Sequence, residues 1–174
     1  MAEPPAETPE ETAARAIDAA LNYLSYRQRT RLEVRRKLLE RGFDEETVEG
    51  AMGRLENVGL VDDVAFIGAY VRDRVAHRPM GVRRMASELY VKGIPRDEAI
   101  PHIEATLAEE GIDEEAMAWR VGERKAMSLR VRDEPQDVRR RRLREHLHRR
   151  GFGPRVIREV VDALLPRNGR ANDR

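Results

Sequence analysis

One pattern recurs three times along this chain and constrains most of what it can become. Val34 and Leu38 lie four residues apart, and Gly42 and Phe43 follow at the same step. Met85, Leu89, Gly93 and Ile94 repeat that spacing, and Leu143, Leu147, Gly151 and Phe152 repeat it again. An apolar pair at i and i+4 marks one face of a helix. Each glycine follows a basic residue: Arg41, Lys92 or Arg150. A cation near the last carbonyls, then a residue free to turn left-handed, is a common way for a helix to end. The next apolar residue can fold back onto the helix just finished. Another helix then starts at Asp44, at Pro95 and at Gly153-Pro154, where Pro154 suits the first turn.

A further helix precedes each pair, over about 12–27, 62–76 and 113–130. Ile17, Leu21 and Leu24 share one helical face; so do Val48, Met52 and Leu55, then Ile67, Tyr70 and Val71, and finally Ile157, Val160, Val161 and Leu164. No stretch sustains the strict alternation of a half-buried strand. The chain therefore reads as all-α, with about nine helices in three tandem three-helix repeats: 12–60, 61–111 and 112–166. Each repeat is small, so neighbours should stack. Thr30 and Glu33 form a capping box, and Asp44 before Glu45 and Glu46 is a good N-cap. Residues 1–11 hold three prolines, four glutamates and no base, and read as a disordered acidic tail. Residues 167–174 read as a second, frayed tail.

Composition excludes several functions. With no Cys among 174 residues, disulfides, thiolate metal sites and a cysteine nucleophile are ruled out. No apolar run is long enough to span a membrane. No secretory leader is evident, and a cytoplasmic location is expected. Phosphate-binding loops, dinucleotide fingerprints, zinc-protease and serine-hydrolase motifs are absent, so neither an enzyme nor a cofactor is expected. His146 and His148 are two apart on a helix and point about 200° apart, which does not make a metal pair. Asp62 beside Asp63 reads as a helix cap rather than a metal ligand. Tyr23, Tyr26, Tyr70, Tyr90 and Trp119 read as buried or partly buried.

The net charge of +1 is a cancellation. Residues 1–120 carry 17 bases and 24 acids, whereas residues 121–174 carry 16 bases and 8 acids. Such asymmetry points to a charged partner. Arg139, Arg140, Arg141 and Arg142 sweep about 300° of a helix, so that turn should project from the core or meet a charged partner. Arg149 and Arg150 extend the positive region. Arg27, Arg29, Arg31, Arg35 and Arg36 flank the first capping box, and Arg72, Arg74, Arg83 and Arg84 surround the corresponding junction of the second repeat. These fifteen arginines are the candidate binding residues.

Several segments are similar to the RecX family, regulators of the RecA recombinase. Tyr23-Leu24-Ser25-Tyr26-Arg27-Gln28-Arg29-Thr30, followed by Leu32-Glu33-Val34-Arg35-Arg36-Lys37-Leu38, resembles the family's first-unit signature. Gly59-Leu60-Val61-Asp62-Asp63, with Phe66, Tyr70, Val71 and Arg74, resembles its Gly-Tyr-Leu-Asp-Asp segment, with Leu60 and Val61 in place of the aromatic–aliphatic pair. Gly81 to Ile94 resembles the second-unit helix and its exit, though Val82 and Met85-Ala86-Ser87 stand where the family is usually more basic. The third repeat matches by helix pattern and by Gly151-Phe152. The resemblance implies an elongated, curved array of three-helix repeats. It also implies a monomer that binds the RecA filament on single-stranded DNA, lies in the filament's groove and suppresses its growth and activity. Weak nonspecific DNA binding is compatible with that role. The alternative is a direct DNA-binding module of helix-turn-helix type, acting without RecA.

Overall fold

The computed structural model describes residues 7–131 and 134–167. Among these residues there are nine helices and no strand: α1 Pro9–Leu24, α2 Arg31–Glu40, α3 Glu45–Asn57, α4 Asp63–His77, α5 Val82–Tyr90, α6 Arg96–Glu109, α7 Glu114–Arg130, α8 Gln136–Arg149 and α9 Pro154–Leu164. They fall into the three successive triplets that the recurring pattern predicts. Residues 1–6 and 168–174, which hold most of the two expected tails, lie outside the described residues.

Local chemistry sets the helix ends. Helix α1 begins earlier than expected because Thr8 and Glu11 form a capping box: the Glu11 amide donates to Thr8 Oγ1 at 3.3 Å, and the Thr8 amide donates to the Glu11 carboxylate at 2.9 Å. Pro9–Glu11 are thus helix rather than tail. The expected caps form at Thr30 and Asp44, and Asp62 accepts from the amides of Val64 and Ala65. Gly42, Gly93 and Gly151 have φ of +88°, +92° and +82°, the left-handed turn their spacing predicts.

The chain packs into two compact units. The first contains the residues up to Ile67 together with Tyr90–Ile94; the second contains Gly68–Leu89 and the chain from Pro95 onward. In the first, Val34 and Leu38 of α2 meet Val48, Ala51, Met52 and Leu55 of α3 and Ala16, Ala19 and Ala20 of α1. The alanines displace the stripe expected for α1. Ile17 and Leu24 pack only partly, and Leu21 is 40% exposed. Small side chains let α1 lie close against its neighbours, so its larger residues are left at the margin. In the second unit, α7, α8 and α9 pack pairwise around Met117, Ala118, Leu129, Leu143, Leu147, Val160 and Val161.

Two of the three glycine turns grip the opening of an earlier helix. In the first unit, the turn after α5 rests on the start of α2. The hydroxyl of Thr30, fully buried, donates to the Lys92 carbonyl at 2.7 Å while accepting from the Glu33 amide at 3.2 Å. A Cβ on Gly93 would overlap Leu32. In the second unit, the turn after α8 rests on the start of α5. The Gly81 amide donates to the Arg150 carbonyl at 2.8 Å, and Arg84 Nη1 donates to the Arg149 carbonyl at 3.0 Å. A Cβ on Gly151 would lie 2.6 Å from the Arg84 amide nitrogen. Gly42, in the equivalent turn after α2, has open space where a Cβ would go.

Candidate binding surfaces

The arginines of the first unit are largely paired with its glutamates. Arg31 reaches Glu56 at 2.5 Å and Glu49 at 3.3 Å. Arg35 reaches Glu49 at 2.8 Å and also pairs with Glu45. Acceptance from Arg35 holds the Glu49 carboxyl below its ordinary range. Arg27 and Lys92 both contact Glu33, at 3.1 and 3.3 Å. Burial pushes Glu33 up, but the hydrogen bonds from Arg27 and the Thr30 amide and the two nearby cations outweigh it, so the group stays below the usual carboxylate range. Arg36 pairs with Glu40 at 3.5 Å. Arg29 lies over the Tyr23 ring at 4.1 Å, with its Nε buried and lacking a partner. The expected basic junction is therefore compensated. Exposed pairs of this kind contribute little and can exchange for an external partner.

In the second unit, Glu88 gathers three groups: the Tyr70 hydroxyl at 2.7 Å, Arg84 Nε at 3.1 Å and Arg74 Nε at 3.4 Å. Burial, then donation to Glu88, pushes the Tyr70 phenol up. Arg72 pairs with Glu110 at 3.2 Å. Arg83 and Arg149 are exposed and make no ion pair among the described residues.

The four consecutive arginines do not project as a group. Arg140 is 6% exposed and turns inward. Its guanidinium donates to the carbonyls of Val161 and Leu165 and pairs with Asp162, tying down the last turn of α9. A side chain with a long apolar stem and a forked donor can close a helix end in this way, which a count of charge around the helix does not anticipate. Arg139 is half-buried with an unpartnered Nε. Arg142 pairs with Glu134 at 2.6 Å, and Arg141 stays exposed, 3.9 Å from Glu145. Arg150 donates to the Pro79 carbonyl at 3.0 Å.

The aromatic residues divide. Tyr70 is buried and Tyr23 and Trp119 partly so, whereas Tyr26 is 84% and Tyr90 57% exposed. Tyr26 lies just past the end of α1, which stops at Leu24 instead of continuing to 27, and so it leaves the core. Val58, Leu60 and Val64 are also exposed around the turn after α3. Sequence patterning gave no signal for them, because apolar residues flanking a turn have no helical period. Among the described residues, no group of three acidic or histidine side chains is arranged to hold a metal, and no helix is long and apolar enough to cross a membrane.

Comparison with known proteins identifies the family. Residues 16–55 match the family model described as RecX, first three-helix domain, and residues 62–99 match RecX, second three-helix domain. The Regulatory protein RecX of Prosthecochloris aestuarii is 33% identical over 151 residues, covering 87% of this chain and 94% of that protein. The Regulatory protein RecX of Mycobacterium avium is 37% identical over 167 residues, covering 93% and 92%. A crystal structure of a regulatory protein RecX superposes with a TM-score of 0.74 at 26% identity, over 88% of this chain and 73% of that one. A crystal structure of RecX from Lactobacillus salivarius gives a TM-score of 0.77 at 23% identity, over 89% and 97%, and speaks to the fold. With that identity sustained through nearly the whole length, the chain belongs to the RecX family.

Proposed function

We propose that this protein is a non-enzymatic, cytoplasmic regulator that restrains a RecA-type recombinase. It would act as a monomer in the groove of the filament that RecA forms on single-stranded DNA, limiting filament growth, ATP hydrolysis and strand exchange during recombinational repair. The observation that carries this reading is the near full-length similarity to proteins named Regulatory protein RecX. The surface chemistry supports it. Arginines paired with glutamates through weak, exposed contacts can re-pair with the carboxylates of a protein or the phosphates of DNA. A filament presents both. Arg36, Arg83, Arg141 and Arg149 are the exposed candidates least engaged internally, and Arg140 belongs to the fold.

The test is RecA ATP hydrolysis on single-stranded DNA with added protein. Inhibition at stoichiometric concentration is expected, weakening as salt screens the contacts. No effect at low salt would sink the proposal. Naked duplex DNA, followed by fluorescence anisotropy, separates the alternative. Tight sequence-specific binding without recombinase would favour a direct DNA-binding module.

A further inference from the structure

The second unit contains a cleft of about 300 Å³ that no sequence motif marks. Its permanent charges are all cationic: Arg78 just past α4, Arg124 and Lys125 from α7, and Arg150 at the C-cap of α8; the imidazoles of His77, 3.3 Å from Asp73, and of His146 complete the polar lining. No carboxylate lines it. Arg31, Arg35, Arg74 and Arg84 all hold glutamates, whereas Arg78, Arg124 and Lys125 make no ion pair among the described residues. Arg150 is fixed at the edge by its 3.0 Å bond to the Pro79 carbonyl.

Burial and neighbouring cations act in the same direction on the titrating groups of the cleft. Burial and the charges of Arg78 and Arg84 push Arg150 down. Burial, then Arg150, Lys125 and Arg149, push His146 down. Like charges gathered with no carboxylate in the lining raise the free energy of the empty cleft and are relieved by an anion. The ligand must accept from several guanidinium and ammonium groups at once. Phosphate has tetrahedral oxygens that do so, whereas a carboxylate offers two oxygens in a plane.

We propose that this cleft binds a phosphate group, carried either by a nucleic-acid backbone or by a phosphorylated small molecule. The inference stands on the second unit alone and does not require the recombinase.

The full chain at low salt is titrated with inorganic phosphate and, separately, with a twelve-residue oligothymidylate lacking terminal phosphates. The His146 imidazole is followed by NMR. Saturable shifts are expected, with the His146 pKa rising as the anion offsets its cationic neighbours. Saturation by inorganic phosphate alone would assign a phosphorylated small molecule; saturation by the oligonucleotide alone would assign the backbone. Arg124→Gln with Lys125→Gln should weaken the response by about tenfold or more. Arg41→Gln with Arg54→Gln removes the same charge from exposed positions of the first unit and should leave affinity within about twofold. Arg78→Gln provides a second probe of the cleft should the first pair disturb α7. The proposal is overturned if neither ligand moves His146, or if both double variants lose affinity equally, which would mark a general charge effect. It is also overturned if oligoglutamate saturates the cleft and phosphate does not.

Discussion

Replacing Gly93 by Ala tests whether the turn after α5 is a joint or only a turn. Gly42 and Gly93 lie in the same unit with nearly equal φ, +88° and +92°. Alanine in the left-handed region costs roughly 1–2 kcal/mol at either position. Gly42 faces open space, so Gly42→Ala carries only that cost. At Gly93 the new methyl would overlap the Leu32 side chain, starting at its Cβ, so rotation of the leucine alone does not relieve it. Overpacking of that kind adds about 1–3 kcal/mol. The Thr30 hydroxyl to Lys92 carbonyl bond is strained in the same movement. Hydrogen exchange at the Val34 and Leu38 amides of α2 reports the stability of this unit. Gly42→Ala should speed exchange about 5- to 30-fold, and Gly93→Ala a further 5-fold or more. Equal acceleration in the two variants would refute the docking argument, leaving backbone conformation as the whole effect.

Arg140→Ala should destabilise the second unit by about 2–3 kcal/mol, because the Val161 carbonyl of α9 and the Leu165 carbonyl at its C-cap lose a charged donor; Arg141→Ala should change it by less than about 0.5 kcal/mol. Thermal melts compare them, and equal losses would show that Arg140 is not a tether. Glu88 is held below its ordinary range by hydrogen bonds and cations that outweigh burial. Its contribution is therefore present above the ordinary glutamate pKa and lost as pH falls through the depressed one. Tyr70→Phe should reduce stability at pH 7 by about 1 kcal/mol and flatten that acid limb in urea titrations. Glu114 has the opposite sign. Burial raises it although the Val82 amide donates to it at 3.0 Å, so its contribution falls as pH rises from the ordinary value through the raised one. Glu114→Gln should then stabilise at pH 7 and not at pH 3, and a gain of equal size at both values would contradict the assignment. Tyr26→Ala, at a ring 84% exposed, should leave the melting temperature unchanged while weakening inhibition of recombinase ATPase; unaltered inhibition would show that Tyr26 makes no contact with the recombinase.

What could be read in the sequence followed from short-range chemistry. The three glycine exits, the Thr30 box, the Asp44 and Asp62 caps and the stripes of α3 and α4 depend on residues within one turn of each other. Helix α1 shows where this stops. Its buried face is Ala16, Ala19 and Ala20, and alanine carries too little hydrophobic weight to mark a face against Ile17 and Leu21. Arg140 shows the same limit for charge: its inward turn depends on the α9 carbonyls, 21 and 25 residues away. Pairing of Arg31 and Arg35 with Glu49 depends on two helices being side by side, and the cationic cleft on three. Glycines 42, 93 and 151 look alike in sequence, and only packing separates the open turn from the two that are held.

That difference gives the chain a polarity. At each joint, a later exit turn closes over the first turn of an earlier second helix, and the reverse arrangement does not occur among the described residues. Cutting the chain after α6 would therefore bare the Gly81 amide and the Arg84 backbone that the α8 turn covers. The Thr30–Lys92 joint would keep both its partners. Loss from the front would act differently, since the α5 turn would stay formed with nothing left to hold. Wear from the two ends is thus not equivalent, and damage at the back of the chain uncovers donors that damage at the front leaves hidden.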